Sequence, residues 1–104
     1  MKENKIALGL DIGGTKISSG VNKSGKILEQ KEIDTPYDSP QERILEVIAD
    51  QVASYLTFGF DAIGIGIPGL VDPIRGIVYN LANIPSFQRV YLKDYLESKF
   101  NVPV

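Results

Sequence analysis

The sequence of 104 residues contains no cysteine and no histidine. Without cysteine, a disulfide framework, a thiolate metal site and a cysteine nucleophile are all excluded. Without histidine, the chain lacks the residue used most often as a general base and as a zinc ligand. Many enzyme mechanisms are therefore closed to these residues.

Long apolar runs and an excess of one charge are also missing. The apolar run from Ile6 to Leu10 ends at Asp11, far short of a signal-peptide core or of the roughly 20 residues that cross a bilayer. Eleven basic and 13 acidic side chains leave a net charge of -2, which is no electrostatic footprint for nucleic acid. We expect a cytoplasmic protein that binds neither membranes nor, through these residues, nucleic acid.

The composition is that of a folded domain. The hydrophobic share of 43% and the charged share of 23% lie near globular averages. No repeat, low-complexity tract or linker divides the chain. We therefore expect residues 1–104 to form one α/β domain or part of one.

The first third of the chain predicts three antiparallel strands. The segment Ile6–Ile12, apolar except for Asp11, is typical of a central strand covered on both faces. Residues 17–21 follow as a second strand, and the turn 22–25 leads into a polar edge strand over residues 26–34.

Two helices and further strands are predicted in the remainder. Ser39 as N-cap, Pro40 and Glu42 form the pattern of a capping box, and an apolar stripe runs from Ile44 to Leu56 before the stop at Gly59. Residues 62–67 alternate isoleucine with glycine, which predicts a buried strand with a close neighbour on its glycine face. A loop-rich segment, 68–88, contains a short strand at 77–79; a helix over 92–100 and the start of another strand at 102–104 follow.

The segment Asp11–Lys16 combines an acid, two glycines, a hydroxyl and a cation. Glycines allow backbone N–H groups to face one concavity, Thr15 and Lys16 can add donors, and Asp11 could hold Mg²⁺ through water. The alternative is an ordinary Gly-Gly hairpin with exposed Thr15 and Lys16. An acid at the end of an otherwise buried strand is costly unless it is used, which favours the phosphate site.

Two better-known motifs do not fit. A Walker loop needs its lysine directly after the last glycine and a helix thereafter, whereas Thr15 intervenes and a strand follows. Residues 64–69 have the G-x-G-x-x-G spelling of a dinucleotide site, but these glycines lie in a predicted strand and Pro68 prevents a helix. NAD binding is therefore rejected.

Several segments resemble the ROK family of repressors and sugar kinases. They are Leu8–Lys16, Gly64–Pro73, the run Asn80-Leu81-Ala82-Asn83-Ile84-Pro85, and Val102–Val104. The resemblance covers essentially the whole chain. It implies an α/β lobe of the ribonuclease-H-like fold, shared with hexokinase and actin, with a mixed sheet and flanking helices.

The resemblance also implies site residues. Asp11, Gly13, Gly14, Thr15 and Lys16 match the family's first phosphate motif, which lies against ATP phosphates and Mg²⁺.

Further along the chain, Pro68 and Gly69 match a stretch beside the bound sugar, and Asn83 matches an asparagine that lines the sugar pocket. Their alternative roles are a rigid strand-to-loop turn and an asparagine bonded to its own backbone. Asp72 also lies in the family-like segment, Gly64–Pro73. As an acid before proline, it has the alternative role of starting a turn.

The sequence also departs from the family pattern. The family's Glu-Asn-Asp-x-Asn segment, whose aspartate is the catalytic base, would lie beyond Val104, and so would the zinc cluster, the second phosphate motif and the adenosine pocket. We therefore expect residues 1–104 to be an N-terminal lobe that lacks its C-terminal lobe, carries no catalytic residue and does not turn over alone.

Three functions follow as hypotheses. The first is ATP-dependent phosphorylation of a hexose by the completed protein, with ATP and Mg²⁺ as cofactors. The second is the sugar-sensing lobe of a ROK regulator, which ranks lower because Met1 leaves no room for a preceding DNA-binding domain. The third is a structural module that associates as a homodimer through exposed apolar area.

Overall fold

The structure, a computed structural model, describes residues 5–81 and 83–104. Residues 1–4 and Ala82, which is part of the family-like run 80–85, lie outside the described residues. The elements, in chain order, are β1 (Ile6–Ile12), β2 (Lys16–Lys23), β3 (Lys26–Asp34), α1 (Gln41–Ala53), a 3₁₀ helix (Leu56–Phe58), β4 (Ala62–Gly66), β5 (Leu70–Asp72), β6 (Ile77–Asn80), β7 (Val90–Tyr91) and α2 (Leu92–Phe100).

The larger sheet has the strand order β3-β2-β1-β4. Its first three strands are antiparallel, as predicted, and β4 runs parallel to β1. Ser24 and Gly25, between β2 and β3, both have positive φ, at 53° and 83°, which suits a two-residue hairpin turn. The mixed sheet confirms the predicted fold class.

The core lies on one face of this sheet. From Leu8 to Ile12 every second residue of β1 is buried, while the residues between them are exposed. The apolar stripe of α1 belongs to the same cluster, with Ile44, Ile48 and Val52 fully buried. At about 25 cal/mol per Å² of apolar surface removed from water, this layer contact is the main force that holds α1 on the sheet.

The opposite face of the sheet is open within the described residues. Ala7, Gly9 and Asp11 of β1 are exposed, and so are Gly64 and Gly66 of β4. The prediction that β1 is covered on both faces is therefore wrong for this chain, and the expected close neighbour of the glycine face is not found among the described residues. The apolar run suggested two covered faces because alanine and glycine count as apolar in a sequence. These residues have little side-chain area to bury, so they do not require a covering layer.

The start of α1 differs from the prediction. Pro40 is the N-cap and no side-chain cap bond forms, so the capping box of Ser39 and Glu42 is wrong. Ser39 has other partners: its N–H donates to the carbonyl of Pro36 at 3.0 Å, and its carbonyl accepts from the Ser86 hydroxyl at 2.8 Å.

The end of α1 is earlier than predicted. The helix stops at Ala53, and a separate 3₁₀ helix ends at Phe58 and is capped by Gly59, whose φ is 68°. Tyr55 is still buried, and its hydroxyl lies 2.8 Å from the Ser19 hydroxyl. Leu56 is 56% exposed, so the apolar stripe ends one residue before the predicted limit.

Strands β5, β6 and β7 form a second, antiparallel sheet. The sequence predicted β6 but missed β5 and β7, because elements of three and two residues are too short to show a periodicity. The helix predicted over 92–100 is confirmed, and it ends at Asn101 in the left-handed conformation. Residues 102–104 do not form a strand, although the carbonyl of Pro103 accepts the N–H of Ile63 at 2.8 Å. In the described part of the chain, neither helix has the length and apolarity needed to span a bilayer.

Candidate functional site at the carboxyl ends of β1 and β4

The turn after β1 is a tight connection between two strands. Its first amide, the N–H of Gly13, donates to the carbonyl of Lys16 at 2.9 Å. Within residues 5–81 and 83–104, the N–H groups of Gly14 and Thr15 have no acceptor. The turn is thus partly the hairpin of the alternative hypothesis, but two of its amides have no partner among the described residues.

Asp11 lies near the carboxyl end of β1, between Ser18 of β2 and Gly66 of β4. The residue is exposed, so the prediction of a buried carboxylate is wrong, and the cost of burying a charge no longer supports a site here. Glycine at position 66 leaves space beside the acid, since a Cβ there would lie 3.8 Å from Asp11 Oδ1. The carboxylate is therefore open to a ligand without first breaking a buried network.

The Lys16 ammonium forms an ion pair with the Asp34 carboxylate, at the end of β3. The hydrogen bond between them, reinforced by their opposite charges, raises the pKa of Lys16 and lowers the pKa of Asp34. Both side chains are exposed, so the pair is screened by water and salt. The sequence pattern did not indicate Asp34 as the partner of Lys16. An anion bound at the turn would compete with Asp34 for the Lys16 ammonium.

Asn83 and Pro68 lie beside the turn. A Cβ on Gly14 would overlap Asn83 Cβ and would lie 3.1 Å from Asn83 Cγ and Nδ2. Gly14, Pro68 and Asn83 also line one small cavity, together with Ile12, Leu81 and Ile84. The predicted phosphate turn and two of the three predicted sugar-side residues therefore meet at one place.

The small cavity has a volume of about 10 Å³, room for about one water molecule. A hexose cannot fit inside it. The described residues therefore offer one wall of a sugar site, and the other walls must come from elsewhere if such a site forms.

Gly69 lies on the other side of Pro68 and faces the end of β6. A Cβ at this position would overlap the carbonyl oxygen of Asn80 and Leu81 Cδ2, and the Gly69 N–H donates to the carbonyl of Ile67 at 3.1 Å. Gly69 thus packs against backbone in a tight turn, and it is not among the residues that line the small cavity.

Asp72 starts a turn. Its Oδ1 accepts the N–H groups of Ile74 at 3.0 Å and Arg75 at 3.1 Å, which is the side-chain turn expected of an aspartate before proline.

The oxygen atoms near the turn suit a metal ion only when a bound nucleotide supplies further ligands to it. No group of three or more acidic side chains gathers anywhere in the described parts of the chain. Magnesium prefers oxygen ligands and often binds through one or two carboxylates plus phosphate oxygens and water. Asp11, an exposed carboxylate beside the turn, fits that second situation, in which a nucleotide would supply the remaining ligands.

A larger apolar cavity of about 170 Å³ lies away from this site. It is bordered by β4, the second sheet and the start of α2, and Val104 closes one side. Asp72 lines it, whereas the predicted phosphate and sugar residues do not.

The mixed sheet and its antiparallel first three strands define a ribonuclease-H-like α/β lobe of the kind found in hexokinase-type sugar kinases. The sequence matches the profile of the ROK family over residues 7–104, and the chain belongs to that family.

Two curated relatives are sugar kinases. The chain is 36% identical to a glucokinase of Streptomyces coelicolor over 101 residues, which are 95% of this chain and 31% of the relative. It is 39% identical to an N-acetyl-D-glucosamine kinase of Escherichia coli over 97 residues, 89% of this chain and 31% of that protein. The chain thus spans about a third of the length of the curated relatives it matches.

Solved structures are similar as well. A ROK family glucokinase from Streptomyces griseus, in complex with glucose and AMPPNP, matches with a TM-score of 0.81 and 36% identity over 95% of this chain and 31% of its own. A ROK family transcriptional regulator, a homologue of the Escherichia coli MLC protein, matches with a TM-score of 0.85 and 19% identity over 97% of this chain and 27% of its own. The second likeness concerns the fold alone.

Proposed function

We propose that residues 1–104 form the N-terminal lobe of an ATP-dependent hexose kinase, and that a C-terminal lobe completes the enzyme. The contact between Gly14 and Asn83 carries this proposal, because it joins a phosphate-binding turn to a sugar-side loop. Phosphoryl transfer needs the two substrates held in line at a short distance. The kinase relatives support the same assignment.

The nucleotide side of the site consists of Asp11 and residues 13–16. The free N–H groups of Gly14 and Thr15 bind phosphate oxygens, and Lys16 adds a cation when it leaves Asp34. Asp11 would hold Mg²⁺ through a water molecule. When bound, the metal neutralises charge on the phosphates.

The sugar side consists of Pro68, Gly69 and Asn83. The amide of Asn83 can both donate to and accept from sugar hydroxyls, because each hydroxyl is itself both a donor and an acceptor. Pro68 and Gly69 set the position of the adjoining backbone, where Gly69 packs against the end of β6. The remaining contacts come from the second lobe, since the cavity formed here is too small for a sugar.

No residue of the chain is assigned as the catalytic base. Asp11 is committed to the metal, and the ion pair and turn contacts occupy Asp34 and Asp72. We propose that the chain binds MgATP and hexose weakly and does not transfer phosphate alone.

The proposal is tested by nuclear magnetic resonance on the ¹⁵N-labelled protein. AMPPNP with Mg²⁺ is expected to shift the amide signals of residues 13–16, and glucose is expected to shift Asn83. Asp11→Asn should remove most of the gain in AMPPNP affinity that Mg²⁺ provides, whereas Asp50→Asn, at an exposed acid on α1, should keep it.

Absence of nucleotide-induced shifts in the turn at millimolar AMPPNP would refute the kinase assignment. Glucose binding without any nucleotide binding would instead favour the sugar-sensing lobe of a regulator.

A further inference from the structure

Thr35 is one of the buried polar side chains of the protein, with 5% of its surface exposed. It follows the last residue of β3 and precedes Pro36, and no motif of the sequence singles it out. A buried hydroxyl is costly unless it has a hydrogen-bond partner. The partners of Thr35 lie in the turn between β1 and β2.

Thr35 donates two hydrogen bonds to that turn. Its hydroxyl donates to the carbonyl of Gly13 at 2.8 Å, and its backbone N–H donates to the carbonyl of Thr15 at 2.8 Å. The two acceptors flank Gly14. Both ends of the tightest part of the turn are thus fixed by one residue that is 20 or more positions away in sequence.

These bonds decide where the amides of the turn point. A trans peptide is planar, so the C=O of one residue and the N–H of the next point in opposite directions. Because the Gly13 carbonyl is directed at the buried Thr35 hydroxyl, the N–H of Gly14 is directed away from Thr35. The carbonyl of Thr15, held by the Thr35 N–H, fixes the following peptide in the same way.

We propose that Thr35 is a positioning residue for the phosphate-binding turn, which rests on the proposed function above. Thr35 touches no ligand; it holds the free Gly14 N–H in the orientation that a phosphate oxygen needs. The neighbouring Asp34 holds the Lys16 ammonium. The end of β3 therefore controls both the backbone donor and the side-chain cation of the site.

Two variants of Thr35 test the proposal. Thr35→Val keeps the shape and the backbone bond but removes the hydroxyl, and Thr35→Ser keeps the hydroxyl. Thr57→Val, at an exposed threonine, is the matched control. The measurements are amide hydrogen exchange of Gly13, whose N–H bonds to Lys16, and the affinity for AMPPNP with Mg²⁺.

We expect Thr35→Val to speed exchange of Gly13 about tenfold relative to Ile48 in α1, and to weaken AMPPNP binding by a similar factor, since the substitution removes the donor of a buried hydrogen bond. Thr35→Ser should stay within about twofold of the wild-type protein in both measurements, because it keeps the hydroxyl. The tenfold change expected for Thr35→Val corresponds to about 1.4 kcal/mol. Normalising to Ile48 separates a loosened turn from general destabilisation.

Unchanged exchange of Gly13 in Thr35→Val, or failure of Thr35→Ser to restore it, overturns the positioning role. Loosened Gly13 exchange with unchanged AMPPNP affinity also overturns it, because the turn would then move without affecting phosphate. If the wild-type protein binds no AMPPNP, the proposed function fails and the positioning role fails with it, while Gly13 exchange separately reports whether the bond holds the turn.

Discussion

Gly14 stands where the chain has no room for a methyl group. The Cβ position is occupied by Asn83, a residue 69 positions later. The sequence suggested a glycine needed for backbone freedom in a phosphate loop. The structure adds a second requirement, the close approach of Asn83.

Gly14→Ala is expected to push Asn83 out of place and to destabilise the protein by about 1–3 kcal/mol, the usual cost of overpacking. Gly64→Ala is the matched control, since a Cβ there has no atom within 4 Å among the described residues. Urea denaturation measures both free energies of unfolding. Equal effects of the two substitutions would contradict the contact.

The ion pair of Lys16 and Asp34 gives a pH dependence with a definite sign. The pKa of Asp34 is lowered by the Lys16 hydrogen bond, so the stabilisation is present above the ordinary aspartate value of about 3.9 and is lost as the pH falls through the lowered value. The pKa of Lys16 is raised, so the stabilisation persists up to about pH 10.4 and is lost as the pH rises through the raised value.

We expect the Asp34 carboxyl to titrate at a lower pH in the wild-type protein than in Lys16→Met, as measured by ¹³C resonance. As a control, Lys23→Met, at another exposed lysine of β2, should leave the Asp34 midpoint unchanged. High salt should narrow the difference because the pair is exposed. An identical Asp34 midpoint in both proteins would show that the pair does not form in solution.

Among the elements, α2 was predicted with its limits, whereas the apolar stripe of α1 was predicted correctly and its two ends were not. For α2, the apolar residues and the left-handed Asn101 act within the element itself. For α1, the carbonyl of Ser39 accepts a hydrogen bond from the hydroxyl of Ser86, a residue 47 positions away, and the helix starts after Pro40 instead. Local signals define an element only when no distant partner competes for them.

The packing of α2 against the second sheet depends on Gly76, which directly precedes β6. This residue has φ of 67°, and a Cβ there would overlap the side chain of Lys93 at the start of α2. The Lys93 N–H also donates to the Gly76 carbonyl at 3.2 Å. The turn thus fastens the second sheet to the helix.

Gly76→Ala is expected to be more destabilising than Gly59→Ala by about 1–3 kcal/mol, the cost of the added clash. Gly59 is a close control because its φ is 68° and no atom lies within 4 Å of its Cβ position in the described part of the chain. Both variants pay the left-handed backbone cost of about 1–2 kcal/mol. Thermal denaturation compares them, and similar melting temperatures would argue against the clash.

At the scale of the whole molecule, the parallel pairing of β1 with β4 creates the candidate site. Asp11 pairs with Gly66 in that register, which brings the turn after β1 and the loop after β4 to one edge of the sheet. Ligands of α/β proteins commonly bind at the carboxyl ends of such strands. The open sheet face and the small cavity at Asn83 accord with a chain that spans 31% of its glucokinase relative.

Residues close in sequence carried enough information for the first three antiparallel strands and for the positions of both helices, because periodicity and turn residues act locally, and the resemblance of the motifs to a family implied the mixed sheet. They did not reveal that Asp11 is exposed, that Asp34 neutralises Lys16, or that Thr35 holds the turn. Burial and pairing depend on which strands become neighbours, and β3 reaches the turn only through the register of the folded sheet. For that reason the motif was predictable, while the contacts that orient its donors required the three-dimensional structure.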